Sequence, residues 1–328
     1  MPAPADVHIN QAMTDFSLVY RAADHYASEM MPPISTDKWS DSYFKRTLKS
    51  LITPVDDLIG ANSEPSEVDF DVENASYTCR DRGLLAYISH KEMKNADDVL
   101  ELQNARIADV LNRMSLNREI RVADLLNTIT NFAAANRIQA TADWSSETNA
   151  NIVKDIQDAR RAIRAGGSAQ TEIRAIITSD LWDEAARHPQ LLGLLGVNAE
   201  GLVSADAFKK FFRIDQLFIT EAEKNTADRG ATTPTVARVW DTDKMVIVRV
   251  PKGQASKDSM MFGGIWTVRM GGVANVDWVD NGKLPDTVVV EWNEPKRGGA
   301  EGSIGYKAAR AEIESILQPD MGAVIHTA

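Results

Sequence analysis

The sequence predicts an α+β chain, and three observations carry the prediction. A long helical stretch spans 95–136, strands and helices alternate over 173–250, and the residues from Trp266 onward read mostly as strand. The helix comes first because nothing interrupts it: no glycine or proline lies between Gly83 and Gly166.

Taken in order, residues 1–60 form a mixed arm. Phe16, Val19, Tyr20 and Tyr26 suggest a short helix, stopped by Met30-Met31-Pro32-Pro33, and a second amphipathic piece over about 43–52 ends at Pro54. These pieces are too short and too separated to build a core. Their apolar residues need another surface, from this chain or from a neighbour. Over 61–94 the period changes to two: Val68, Phe70 and Val72 alternate with charged residues, Asp81-Arg82-Gly83 signals a turn, and 84–88 gives a second strand. The expected product is an extended hairpin with a polar face, which is marginal until something covers it. Deleting 68–91 is expected to leave a folded chain.

In the long helix, Asn95 is the candidate N-cap, with Asp97, Asp98 and Glu101 near the start and Arg113, Arg118 and Arg121 later, as the helix dipole prefers. Leu100, Ile107, Leu111 and Met114 share one face, and Val122, Leu125, Leu126 and Ile129 repeat the spacing. At 1.5 Å per residue the stretch would run roughly 60 Å. A polar connector with Trp144 follows over 140–149. Asn149 or Asn151 then caps a helix whose inner face is Ile152, Ile156, Ala159 and Ile163, ended by Gly166-Gly167.

Residues 173–178 read as a buried strand, and Ser179 or Asp180 caps a helix with Leu181, Trp182 and Ala185, closed by His188-Pro189. One more turn spans 191–195, and Ser204 caps a helix with Phe208, Phe211 and Phe212 on one face. Residues 214–219 form a strand, 225–234 a polar loop, and 245–250 a strand apolar on both faces, hence central, ended by Pro251. Beyond it, 266–270 and 287–292 alternate, with turns at Gly271-Gly272 and Asn281-Gly282 and a glycine-rich turn over 296–305. Residues 306–317 are ambiguous between helix and strand. Pro319 breaks them, and 322–326 make a final short strand.

Composition bounds the function. The formal charge of −11 argues against clamping nucleic acid through a basic surface, although a repulsive wall suits a protein that merely encloses it. The single Cys79 excludes an internal disulfide framework and fits a reducing compartment. The opening Met1-Pro2-Ala3-Pro4-Ala5-Asp6 lacks the basic and apolar regions of a signal peptide, and no apolar run approaches the ~20 residues that span a bilayer, so a soluble, cytoplasmically made protein is expected.

No chemical motif stands out. There is no Gly-x-Ser-x-Gly elbow, phosphate loop or dinucleotide fingerprint, and Gly166-Gly167-Ser168 lacks the lysine and reads as a helix stop. His8, His25, His90, His188 and His326 are scattered, and one cysteine cannot build a thiolate zinc site. Asp155 and Asp158 read as the solvated face of their helix. Cys79 beside Arg80 and Arg82 could be an activated thiol, but a packed strand cysteine is the stronger reading. The seven tryptophans fit core or subunit contacts better than a ligand cage. No catalytic, cofactor-binding or metal-binding residue is therefore assigned, and no cofactor.

The order of short motifs does point somewhere. Ile156-Gln157-Asp158-Ala159-Arg160, then Thr171-Glu172-Ile173-Arg174-Ala175-Ile176-Ile177-Thr178, Leu181-Trp182 and His188-Pro189-Gln190-Leu191-Leu192 resemble the major capsid proteins of tailed phages. The stretch 204–212, Asn225-Thr226-Ala227, Val239-Trp240 and Pro319-Asp320-Met321-Gly322 continue the resemblance in order. Upstream, Gly83-Leu84, Glu92, Asn95-Ala96, Arg118-Glu119 and Val122-Ala123 also fit, so it covers most of the chain from about Val68.

That resemblance implies the Hong Kong 97 type of capsid fold. It divides the chain into an N-terminal arm (1–60), an extended loop hairpin (61–95), a peripheral domain with the spine helix (96–150), an axial α/β domain (151–255), return strands of the peripheral domain (256–318) and a C-terminal strand (319–328). It further implies a structural virion protein, not an enzyme, assembling in the host cytoplasm as pentamers and hexamers of an icosahedral capsid. The implied partners are other copies of the chain, a portal protein, a separate scaffolding protein because the arm is short, decoration proteins as an optional addition, and double-stranded DNA enclosed without sequence-specific binding; no membrane is implied. No lysine, asparagine and acid align to suggest covalent crosslinking. Two rival readings are an encapsulin-like nanocompartment shell of the same fold and a soluble enzyme, the latter supported only by the βα alternation over 173–250.

Overall fold

The computed structural model describes residues 7–9, 24–46, 54–59, 64–67, 72–96, 99–164, 171–195, 201–228, 231–257, 259–269 and 287–327. In chain order, strand β1 (Val7–Ile9) precedes a short helix α1 (Ala27–Met30), then β2 (Pro33–Thr36), β3 (Ser40–Arg46), β4 (Val72–Thr78) and β5 (Arg80–Ser89). Helices α2 (His90–Asn95) and α3 (Val99–Asn127) follow, then β6 (Arg137–Gln139), α4 (Ile152–Arg164) and β7 (Thr171–Thr178). Next come α5 (Ser179–Arg187), α6 (Pro189–Leu195), α7 (Ala205–Phe212), β8 (Gln216–Thr220), β9 (Glu223–Asn225) and β10 (Val236–Arg238). The chain closes with β11 (Lys244–Pro251), β12 (Gly263–Val268), β13 (Val288–Glu294), β14 (Ser303–Ile316) and β15 (Gly322–His326).

Two sheets organise these elements. The first has the order β6-β15-β11-β7-β8, with β11 central and antiparallel to both neighbours. Its strands carry apolar residues on both faces because both are covered. Met245 and Ile247 pack with Ile152, Ile156, Ala159 and Ile163 of α4, all fully buried, while Val246, Val248 and Val250 pack with Val122 and Leu126 of α3. Asn151 caps α4 by accepting from the Lys154 amide at 3.1 Å.

The second sheet is built on β14. Along one edge β14 pairs first with β13 and then with β12, and along the other it pairs with β5 over 303–312. β1 lies outside β13, and β2 runs parallel outside β12. β3 and β4 form a separate two-stranded antiparallel ribbon, and β9 and β10 a small one.

Several expectations change. The chain over 43–46 is strand, not a second amphipathic piece of the arm; 47–53 lie outside the described residues, as do Phe16, Val19 and Tyr20. Asp81-Arg82-Gly83 makes no turn, because β5 runs through it, and a Cβ at Gly83 would come within 3.0 Å of the Ala308 carbonyl oxygen on β14. The hairpin is therefore not made within 61–94: β4 pairs with β3, and β5 is a core strand whose Ile88 is fully buried. Deleting 68–91 would remove that strand, so the expected folded product is withdrawn.

Asn95 ends α2 instead of capping α3. Ser89 caps α2 in a reciprocal box with Glu92, at 3.2 and 3.0 Å. The long helix is shorter than expected, about 43 Å by its 29 residues, and gives way to two 3-10 turns before β6. Thr178, not Ser179 or Asp180, is the N-cap of α5. Phe211 is partly exposed while Phe208 and Phe212 are buried. β12 does not alternate, since every residue in it is buried. The ambiguous stretch is strand up to Ile316, within the 14 residues of β14, and Leu317 lies just past its end. The turns expected at Gly166-Gly167, Gly271-Gly272 and Asn281-Gly282 lie outside the described residues.

Candidate functional site

The long helix and the long strand meet in matched halves. Side chains at alternate positions of β14 share a face. Tyr306 and Ala308 pack with Ile107, Val110, Leu111 and Met114 of α3. Further along, Arg310, Glu312 and Glu314 meet Arg118 and Arg121. Arg118 Nε donates to Glu312 Oε2 at 3.0 Å, Arg121 Nε to Glu314 Oε1 at 2.8 Å, and the Nη2 groups of both arginines also reach Glu312. Arg310 Nη2 donates to the Met114 carbonyl at 2.7 Å.

This belt is buried, so its charges depend on one another. Burial pushes the Glu312 carboxyl up, but Arg118, Arg310 and Arg121 outweigh it and hold the group below the usual carboxylate range. Arg310 is lowered to about 9, first by burial and then by repulsion from Arg118. Above the belt, a cleft of about 440 Å³ opens between β5 and α3, walled by Leu84, Met114 and Ile120 and by Arg82, Arg121 and Arg310.

Within the same turn of α3, Glu119 points away from the belt and ties three parts of the chain together. Its carboxylate accepts from the Ala27 amide at 2.6 Å, at the N-terminus of α1, and from Trp240 Nε1 at 2.7 Å. Burial raises its pKa against these hydrogen bonds. Arg174 of β7 completes the clamp on α1, donating to the Glu29 carbonyl at 2.6 Å and its carboxylate at 2.7 Å. Tyr26 stacks on Phe218 of β8. Part of the arm thus finds its surface in this chain: Ala27, Met30 and Met31 are buried beside Val122 and Val248.

The β3/β4 ribbon packs on the rest of the subunit at Trp266. Tyr77 stacks on Trp266 at 4.2 Å and 7°, and Tyr43 packs against the same ring at 4.8 Å. Cys79, between β4 and β5, is a packed cysteine: it is buried and its thiol donates to the Trp266 carbonyl at 3.6 Å. Burial, with Glu312 and Glu314 nearby, pushes that thiol up to about 11, so Arg80 and Arg82 do not activate it. Farther out, Phe44 is 67% exposed and Leu58, in the segment between the two strands, 82% exposed. A second exposed apolar group, Leu194, Leu202 and Phe211, sits around α6 and α7.

Asp155 is not on a solvated face. It is buried, accepts from the Thr141 amide and hydroxyl at 3.2 and 2.8 Å and from Trp144 Nε1 at 3.2 Å, and so pins the 140–149 connector onto α4. Asp158 behaves as expected, pairing at the surface with Lys154 and Arg161. Trp144, Trp240 and Trp266 are buried in three separate clusters, and Trp39 is exposed. Among the described residues no group of histidine, cysteine and carboxylate side chains is placed to hold a metal, and no helix is long and apolar enough to cross a membrane.

No family model matches the sequence. Among curated proteins, the major capsid protein of Pseudomonas phage JBD67 is 24% identical over 322 residues, which is 96% of this chain and 95% of that one. Over nearly its whole length the chain is similar to a phage major capsid protein. A second relative, the major capsid protein of Burkholderia phage BcepMu, is 21% identical over 216 residues, 65% of this chain and 69% of its own. The fold agrees. A phage-related protein from Bordetella bronchiseptica superposes with a TM-score of 0.75 at 15% identity, covering 98% of this chain and 97% of its own. The capsid of cyanophage P-SCSP1u gives 0.56 at 12% identity, over 94% and 90%. An encapsulin complex from Synechococcus elongatus gives 0.53 at 9%, over 97% and 95%. The expected α+β capsid fold of the Hong Kong 97 type is the observed one.

Proposed function

We propose that this capsid protein is a shell subunit that assembles as pentamers and hexamers of an icosahedral phage capsid enclosing double-stranded DNA. The full-length similarity to a phage major capsid protein carries the reading. The exposed ribbon supports it, because a two-stranded hairpin with a bare aromatic is marginal in water and gains from a neighbouring copy. The net charge of −11 suits a wall that encloses DNA without trapping it. The role is structural, not catalytic. In this reading 151–255 is the axial domain, and the ribbon over 40–78 takes the part first assigned to 61–95. A portal, a separate scaffolding protein and decoration proteins are its partners, and assembly takes place in the host cytoplasm.

Electron microscopy of the untagged protein, alone and with a candidate scaffolding protein, tests this. Shells or capsomer rings are expected; single particles under both conditions would contradict it. The likeness to an encapsulin supports a second reading, a nanocompartment shell. Purified particles would then hold a protein cargo instead of DNA.

A further inference from the structure

We infer that the cleft between β5 and α3 is a binding site for a small organic anion, an oxyanion head carried on an aliphatic body. The site lies within one subunit, so the inference goes beyond the shell reading and does not depend on it.

Arginines from three elements line the cleft: Arg82 of β5, Arg121 of α3 and Arg310 of β14. Arg82 stands opposite Arg310, and Leu84 opposite Ala308, on the face turned to α3. By alternation Asp81 points to the other face, although it borders the cleft. On the α3 side, three lining guanidiniums therefore meet two carboxylates, Glu312 and Glu314. Glu312 is shared further with Arg118, which does not line the cleft.

Hydrogen bonding is less balanced still. Arg121 uses Nε on Glu314, at 2.8 Å, and Nη2 on Glu312. The other two arginines keep unused donors. Arg82 Nε is buried without an acceptor, and its Nη2 lies 3.9 Å from a Glu314 oxygen. Arg310 is only 8% exposed; its Nη2 bonds the Met114 carbonyl, but its Nε, 3.0 Å from Glu312, points off the line of a hydrogen bond. Buried donors without acceptors are unfavourable, and an oxyanion offers several acceptor positions at once. An anion here would also offset the repulsion from Arg118 and Arg121 that, after burial, lowers Arg310.

Size and lining define the rest of the ligand. About 440 Å³ is the volume of a small-molecule pocket and far exceeds the ~30 Å³ of one water. Leu84, Met114 and Ile120 add an apolar wall. Inorganic ions and nucleic-acid phosphates would leave that wall wet, whereas an aliphatic chain would cover it. A medium-chain carboxylate matches both parts and would bridge β5 to α3.

Calorimetry of hexanoate with the full-length subunit tests this. Hexanoate should bind with a dissociation constant on the order of 1 mM. Acetate, which lacks the chain, and hexanol, which lacks the charge, should each bind about tenfold or more weakly. This series uses the unmodified chain, so a variant that fails to fold leaves the test intact. Arg82→Gln should weaken hexanoate about tenfold. Arg297→Gln should leave it unchanged, because Arg297 stacks on Tyr87 and does not line the cleft. No hexanoate binding, equal affinity for the three probes, or hexanoate binding untouched by Arg82→Gln would each overturn the proposal. So would a short DNA duplex whose binding needs Arg82 and is not displaced by hexanoate, since the arginines would then serve phosphates.

Discussion

The sheet around β11 and the ribbon of β3 and β4 are both antiparallel pairings, and they differ in what covers them. β11 is buried between α4 on one face and α3 on the other. The ribbon rests on Trp266 at its base and then runs out with Phe44 bare. On the proposed reading, stability and assembly are thereby separated: the subunit folds on interactions it completes alone, and it exposes what it leaves for a neighbour. Substitutions in the two regions should separate in the same way, and each expected outcome below could break that division.

The largest effect belongs to the charge belt. Glu312→Ala leaves Arg310 buried, and Arg118 and Arg121 part-buried, without their shared carboxylate, and should destabilise the subunit by ~3–5 kcal/mol in urea unfolding. A change within error would mean that water already reaches the belt. Ile247→Ala, at the centre of β11, should cost ~2–5 kcal/mol through the cavity it opens, seen as a lower urea midpoint with an unchanged slope.

Glu119→Gln should cost ~1–3 kcal/mol, because two donors, the Ala27 amide and Trp240 Nε1, then face one acceptor. Its pH dependence sharpens the comparison. Burial raises the folded-state pKa of Glu119 above its unfolded value, so protonation favours the folded state. The melting-temperature advantage of the natural chain over Glu119→Gln should therefore widen as pH falls through that raised pKa, and stop widening below the ordinary carboxylate range. An advantage that shrinks on acidification would refute the assignment.

Phe44→Ser should be the smallest in stability, within about 0.5 kcal/mol, yet it should reduce assembly as scored by light scattering. Equal losses of stability and assembly would place the ribbon in the subunit core.

The sequence made local features legible and long-range ones not. The inner face of α4, the Ser204 cap on α7 and the bounds of β15 follow from spacing and caps within one element. In sequence Asp155 looks solvated because it lies beside the apolar stripe of α4; the returning 141–144 loop buries it. Arg310, Glu312 and Glu314 alternate as a solvent face would. Their burial comes from Arg118 and Arg121, nearly two hundred residues away in sequence. The available signal was the charged gap between the two apolar stretches of α3. The hairpin was mispaired for a similar reason: Gly83 looks like a turn, but it allows close approach to β14. The candidate assembly surfaces were legible only as apolar residues without an obvious place in a core.

Hydrogen exchange, read before and after assembly, tests the central division most directly. Amides of β3 and β4 should exchange quickly in the lone subunit and become protected in the particle, while those of β11 stay protected in both. Ribbon amides as protected as those of β11 in the lone subunit would contradict the account.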